Sequence, residues 1–115
     1  MGELGLIGLQ VPEEYGGGGQ TSFKYNAILS EETLYQACSL GTLRVHQDLV
    51  IPYILTYGTD EQKQRWLPWM AAGTKLGAIA MTEPGTGSDL TGIRTRAIKD
   101  GDHYVLNGAK TFITG

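Results

Sequence analysis

The stretch Ala80-Met81-Thr82-Glu83-Pro84-Gly85-Thr86-Gly87-Ser88-Asp89-Leu90-Thr91-Gly92 divides the chain. Before it, apolar residues recur at helical spacing; after it, they alternate. An apolar run, Leu76 to Met81, leads in and predicts a short buried strand. Gly85 and Gly87 remove side chains from the turn that follows, so backbone N–H groups can approach a ligand closely. Hydroxyls at Thr82, Thr86 and Ser88 add donors. Such a loop suits phosphate oxygens or the carbonyl edges of a flavin ring, and equally a plain strand-to-strand turn. It is not a phosphate-binding Walker loop, because no Gly-Lys-Ser/Thr ends it. It is not a dinucleotide fingerprint, because the third glycine is missing and a hairpin follows instead of a helix.

Downstream, Ile93 to Lys99 and His103 to Leu106 alternate, and Asp100-Gly101 between them predicts a hairpin with both turn residues at positive φ. Asn107-Gly108 predicts a second turn into a strand from Lys110 to Thr114. A hydrophobic strand ending the sequence wants a neighbour, so the sheet is expected to continue beyond Gly115.

Upstream, Leu4 to Leu9 is apolar, and Gly16 to Gly19 form a flexible or tight-turning loop. Thr21 or Ser22 can cap a helix from Phe23 to Cys38, with Tyr25, Ile28, Leu29, Leu34 and Ala37 on its apolar face. A second helix is expected from Leu40 to Tyr57, kinked or split at Pro52 and stopped at Gly58. Thr59 or Asp60 caps a third, Glu61 to Ala72, whose buried face is Trp66, Leu67, Trp69 and Met70. The fold class is therefore α+β. Part of a helical domain (residues 1–73) precedes the first antiparallel strands of a β-barrel-like domain (residues 74–115).

Composition narrows the function. The 115 residues carry a net charge of −3 with 41% hydrophobic and 18% charged residues, which are globular values. No basic stripe is present, against nucleic acid or an anionic membrane as partner. No apolar run approaches the ~18 residues of a membrane span, and the first residues lack the basic stretch followed by an apolar core that marks a signal peptide. The single cysteine, Cys38, excludes an intrachain disulfide and fits a reducing compartment.

Four segments resemble the acyl-CoA dehydrogenase family, in the family's order. Met81-Thr82-Glu83-Pro84-Gly85-Thr86-Gly87-Ser88-Asp89 is similar to its signature. Asn107 to Thr114 resembles the next strand. Gly58-Thr59-Asp60-Glu61-Gln62-Lys63 with Leu67-Pro68 resembles the helix before the β domain. Leu4-Gly5-Leu6 with Pro12-Glu13-Glu14-Tyr15-Gly16-Gly17 resembles an early loop. Together they cover essentially the whole chain. The long-chain type is the nearest subfamily, through Gly85 to Leu90 and Gly92 to Arg96.

The resemblance implies FAD as cofactor and oxidation of a fatty acyl-CoA to its trans-2-enoyl form. It places Ile79, Ala80, Met81, Thr82, Glu83, Pro84, Gly85, Thr86, Gly87 and Ser88 along the flavin. Thr82 would bond the ring, and Ser88 would meet both the FAD pyrophosphate and the thioester arm of the substrate. Phe112, where many relatives carry Trp, would lie against the ring, beside Ile113. Thr114 would donate to flavin N5. The catalytic base of the family is a glutamate in a later helical domain, so no residue here is assigned as catalytic and none as a metal ligand. The isolated chain is expected to be inactive. Implied partners are the acyl-CoA, an electron-transfer flavoprotein and further copies of the chain, as a dimer or tetramer. The compartment stays open between mitochondrial matrix and bacterial cytoplasm. Alternatives are an acyl-CoA oxidase, a nitroalkane oxidase-like flavoprotein, or a non-catalytic scaffold.

Single residues carry blander expectations. Glu83 is read as a strand-end carboxylate bonding backbone N–H groups. His46 is read as a packed or solvated histidine, His103 as exposed, Cys38 as a small core residue, and Glu31-Glu32 as a solvated face. Lys110 and Arg96 suit either phosphate contact or the solubility of an edge strand.

Overall fold

The computed structural model describes residues 2–114. Two compact units divide it, Met1–Ala78 and Ile79–Gly115.

The first unit is helical. Short 3₁₀ turn Glu13–Tyr15 ends at Gly16, whose φ of 78° is left-handed. The tetraglycine then folds back: Gly18 N–H donates to the Gly8 carbonyl and Gln20 N–H to that of Leu9. Helix α1 is Lys24–Tyr35. Its expected apolar face is not buried: Tyr25, Ile28 and Leu34 are exposed, and Asn26 is its one buried residue among those described. Asn26 Nδ2 instead reaches the Asp48 carboxylate at 2.9 Å. Cys38, expected in the core, is exposed.

The expected break at Pro52 takes the form of a wide turn. Helix α2, Thr42–Val45, runs through a π-helical turn, His46–Val50, into α3, Ile51–Tyr57. Proline lacks the N–H of an α-helical bond and its ring crowds the carbonyl four residues back. The π turn widens the helix just before that position, with Ile51 N–H bonding the His46 carbonyl. Gly58 ends α3 in extended conformation (φ −71°, ψ 145°) and not in the left-handed one.

Helix α4, Asp60–Ala71, opens on a full capping box: Thr59 Oγ1 accepts from Gln62 N–H, and the Gln62 side chain accepts from Thr59 N–H. Val11, Ile51, Leu67, Met70 and Ala71 form the core, with Tyr15, Val50, Ile54 and Leu55 packed on it. Trp66 and Trp69, expected inside, are 37% and 52% exposed. Lys75 Nζ stands 5.3 Å from the Trp66 ring centroid and 5.4 Å from that of Trp69, a cation–π arrangement at both rings.

The second unit holds one antiparallel hairpin, β1 (Arg96–Asp100) and β2 (His103–Asn107), paired from Arg96↔Asn107 to Asp100↔His103. The turn residues are therefore Gly101 and Asp102, one place later than expected. Only Gly101 takes positive φ (62°), so glycine is needed at the first central position alone. The two other expected strands, Leu76 to Met81 and Lys110 to Thr114, carry no ladder among the described residues, and the second bends at Phe112, whose φ is 55°. Leu76 to Met81 is apolar throughout and Lys110 to Thr114 is mixed, and each lacks the regular row of backbone partners that makes a strand.

Candidate functional site

Glu83 organises the loop after Thr82. Its buried carboxylate accepts from Arg94 N–H at 2.8 Å and Thr95 N–H at 2.9 Å, as a strand-end acid should. Lys110 Nζ lies 3.0 Å away. These groups favour the ionised form and hold the Glu83 pKa down to about 2. The nearby Thr95 hydroxyl is the largest cause and the two amides follow. That hydroxyl stands outside strict hydrogen-bond geometry, however, and is buried without a partner among the described residues. Gly108 backs it so closely that a Cβ there would sit 2.1 Å from Thr95 Oγ1. Glu83, Pro84, Gly85, Gly92, Arg94, Thr95, Gly108 and Ala109 line a cleft of about 260 Å³.

The turn beyond is closed by its own side chains. Glu83 and Thr86 form an isolated antiparallel bridge, and the Thr86 hydroxyl donates to the Asp89 carbonyl. Asp89 caps the 3₁₀ turn Leu90–Gly92 through Thr91 N–H at 3.1 Å. Thr86 is thus engaged internally. Gly85 and Gly87 stand in the open, with nothing within 4 Å of a Cβ built on either. Ser88 is exposed, and its hydroxyl makes no hydrogen bond among the described residues.

The second expected segment is brought to the first. Thr111 N–H donates to the Thr82 carbonyl at 3.0 Å. Lys110 Nζ donates to the Met81 carbonyl at 3.0 Å. Phe112, Ile113 and Thr114 follow directly. Phe112 is 92% exposed and takes a φ of 55°. Left-handed backbone at a bulky residue is strained, and an exposed aromatic ring gains nothing from packing to offset it. The hydroxyls of Thr82 and Thr114 make no hydrogen bond among the described residues, and Ile79 and Ala80 lie in unpaired extended chain.

This set fits a flavin by its chemistry: unengaged hydroxyl donors, an open aromatic face, and glycines that leave backbone N–H groups accessible. Of the expected residues, Glu83 and Thr86 alone have side chains committed elsewhere. Sequence reasoning missed the roles of Arg94, Thr95 and Gly108, which bond or abut residues far along the chain. A buried glutamate implies a cation nearby, and the sequence offers Arg94, Arg96, Lys99 and Lys110 without choosing among them.

Elsewhere, His46 is fully buried, with Nδ1 accepting from Gly77 N–H at 2.9 Å. It is a packed histidine with both ring nitrogens placed against backbone. An apolar cavity of about 430 Å³ in the helical unit is lined by Val50, Ile54, Trp66, Met70, Lys75, Leu76 and Gly77. Among the described residues no cluster of acids, histidines and cysteines could hold a metal, and no helix is long and apolar enough to cross a membrane.

Known proteins match along essentially the whole chain. Residues 1–74 match the model of the acyl-CoA dehydrogenase N-terminal domain, and residues 78–115 that of the middle domain. The long-chain specific acyl-CoA dehydrogenase of Sus scrofa mitochondria is 49% identical over 98% of the chain, which spans 26% of that relative's length. The crystal structure of an acyl-CoA dehydrogenase from Geobacillus kaustophilus superposes with a TM-score of 0.90 at 52% identity, covering 98% of this chain and 30% of that one. A structure described as the electron transferring flavoprotein of Acidaminococcus fermentans matches with a TM-score of 0.85 at 43% identity, over 98% of this chain and 30% of that one. With both domain models and these relatives in agreement, the chain belongs to the acyl-CoA dehydrogenase family.

Proposed function

We infer that this chain supplies one wall of the FAD and acyl-CoA site of a dehydrogenase that oxidises a fatty acyl-CoA to trans-2-enoyl-CoA. The observation that carries the reading is the bond from Thr111 N–H to the Thr82 carbonyl, which joins the two segments bearing unengaged hydroxyls and an open aromatic ring. When bound, FAD supplies the acceptor for the hydride leaving the substrate β carbon.

The residues of the chain bind and orient. The Thr82 hydroxyl and backbone N–H groups near it would hold the polar edge of the ring, as donors suited to a cofactor that accepts a hydride. Phe112 covers one face and excludes water. Thr114 donates a hydrogen bond at N5. Ser88, beside the open backbone of Gly85 and Gly87, serves the pyrophosphate and the thioester arm. Ile79, Ala80, Met81, Pro84 and Ile113 complete the wall by shape. Glu83 is excluded as the base that takes the α proton: it is ionised and bonded to two amides and an ammonium, so it orients the loop instead. The base belongs to another part of the protein.

Because the chain spans between 21% and 30% of the length of these relatives, the isolated chain is expected to bind FAD weakly and to be inactive. A neighbouring copy, as in a dimer or tetramer, completes the cofactor site. An electron-transfer flavoprotein is taken as the electron acceptor on the family resemblance.

Thr114→Val in the protein expressed from its whole reading frame tests the reading. Anaerobic stopped-flow should show flavin reduction slowed by about tenfold or more, the scale of one lost donor in a water-poor site, with the circular dichroism unchanged. An unchanged rate removes Thr114 from the mechanism. Faster turnover with oxygen than with ferricenium would favour the oxidase alternative.

A further inference from the structure

We propose that Lys110 is a positioning residue for the cofactor wall: its ammonium, held between Glu83 and the Met81 carbonyl, fixes the register in which Thr82 meets Phe112 and Thr114. The proposal rests on the functional reading above and adds a role to a residue outside the ligand contacts.

The two segments meet without a ladder: Thr111 N–H to the Thr82 carbonyl is the one backbone hydrogen bond between residues 79–83 and 110–114 among the described residues, and the chain turns at Phe112 directly after it. A single bond permits slippage and rotation, because register in extended chains is set by repeated pairing. The adjacent rung is supplied by a side chain. Lys110 Nζ donates to the Met81 carbonyl at 3.0 Å and pairs with Glu83 Oε1 at 3.0 Å. Two consecutive residues, 110 and 111, thereby grip two consecutive carbonyls, 81 and 82.

The anchor itself is fixed. The Lys110 and Glu83 side chains are 23% and 6% exposed, so water screens the pair poorly. Glu83 is tied in turn to the Arg94 and Thr95 amides at 2.8 and 2.9 Å, which lead into β1. Charge-assisted bonds of this kind are about twice as strong as neutral ones. The segment leading into the hairpin is thus linked to the wall through Glu83 and Lys110. A lysine placed only for edge solubility would point to solvent, and this one does not.

The test uses Lys110→Met and Lys110→Arg in the protein expressed from its whole reading frame. The readouts are FAD affinity by fluorescence titration, the reduction potential at saturating FAD, and circular dichroism. Lys110→Met should bind FAD about tenfold more weakly, the scale of one charge-assisted hydrogen bond, and shift the potential of the bound flavin. Lys110→Arg, which keeps charge and donors, should recover most of both. Wild-type affinity and potential in Lys110→Met would overturn the role. If Lys110→Met does not fold, Glu83→Gln decides by the same two readouts: loss supports the clamp and no change overturns it. A wild-type protein that takes up no FAD would defeat the functional reading and this proposal together, whereas wild-type FAD uptake with an unaffected Lys110→Met defeats this proposal alone.

Discussion

Gly77 N–H donates to Nδ1 of the buried His46 at 2.9 Å, while Nε2 of the same ring stands 3.2 Å from the Met70 carbonyl. One imidazole therefore joins the π turn to α4 and to the segment that leaves the helical unit. The arrangement needs the neutral tautomer with its proton on Nε2, because Nδ1 must accept.

Burial lowers the His46 pKa below the usual 6.5, and the Met70 carbonyl offsets this only in part. The unfolded chain therefore takes up the proton first as pH falls. The stability contributed by the neutral ring is complete above 6.5 and is lost as pH drops through the lower folded value. The wild-type melting temperature should fall between about pH 7 and 5 relative to that of His46→Gln, which does not titrate there. Parallel curves for the two proteins over that window would contradict the assignment.

Glu83 sets a second, more acid window. Its pKa is held down from 4.5 to about 2, so its contribution is present above 4.5 and disappears as pH approaches 2. Glu83→Gln should be less stable than wild type at neutral pH, and the gap should close on acidification through that range. Chemical denaturation at several pH values measures it, and a gap independent of pH would show that the carboxylate is not ionised by these partners.

Gly108 is confined by contact. A Cβ at this position would lie 2.1 Å from Thr95 Oγ1 and 2.8 Å from Thr95 Cα. Gly108→Ala is expected to cost about 1–3 kcal/mol in unfolding free energy, as overpacking does. Adding Thr95→Ala should restore part of the loss and not all of it, since the backbone contact remains. A cost of Gly108→Ala within about 0.5 kcal/mol would mean that the two segments are free to part.

Local signals in the sequence decided what could be read from it. The cap expected at Thr59 or Asp60 and the hairpin around Gly101 are short-range devices; helix α4 formed behind Thr59, with Gln62 completing a capping box that sequence reasoning missed, and the β1–β2 pair formed around Gly101. The turn slid by one residue because a single left-handed glycine suffices there. The apolar run from Leu76 to Met81 looks like a strand, but a strand requires a partner ladder, and the segment has none among the described residues. Trp66 and Trp69 sit at helical spacing with Leu67 and Met70, yet both stay partly exposed, and the cations of Arg65 and Lys75 stand over the Trp66 ring. At the site, the identity of Glu83 and its demand for amide donors were legible. That Arg94, Thr95 and Lys110 would answer the demand was not, because their separations of 11, 12 and 27 residues are set by tertiary folding.

Hydrogen exchange of the protein expressed from its whole reading frame, with and without FAD, tests the flavin wall most directly. Amides from Ile79 to Ser88 and from Phe112 to Thr114 should exchange more slowly in the presence of the cofactor. Unchanged exchange in both segments, with protection confined to other parts of the protein, would contradict it.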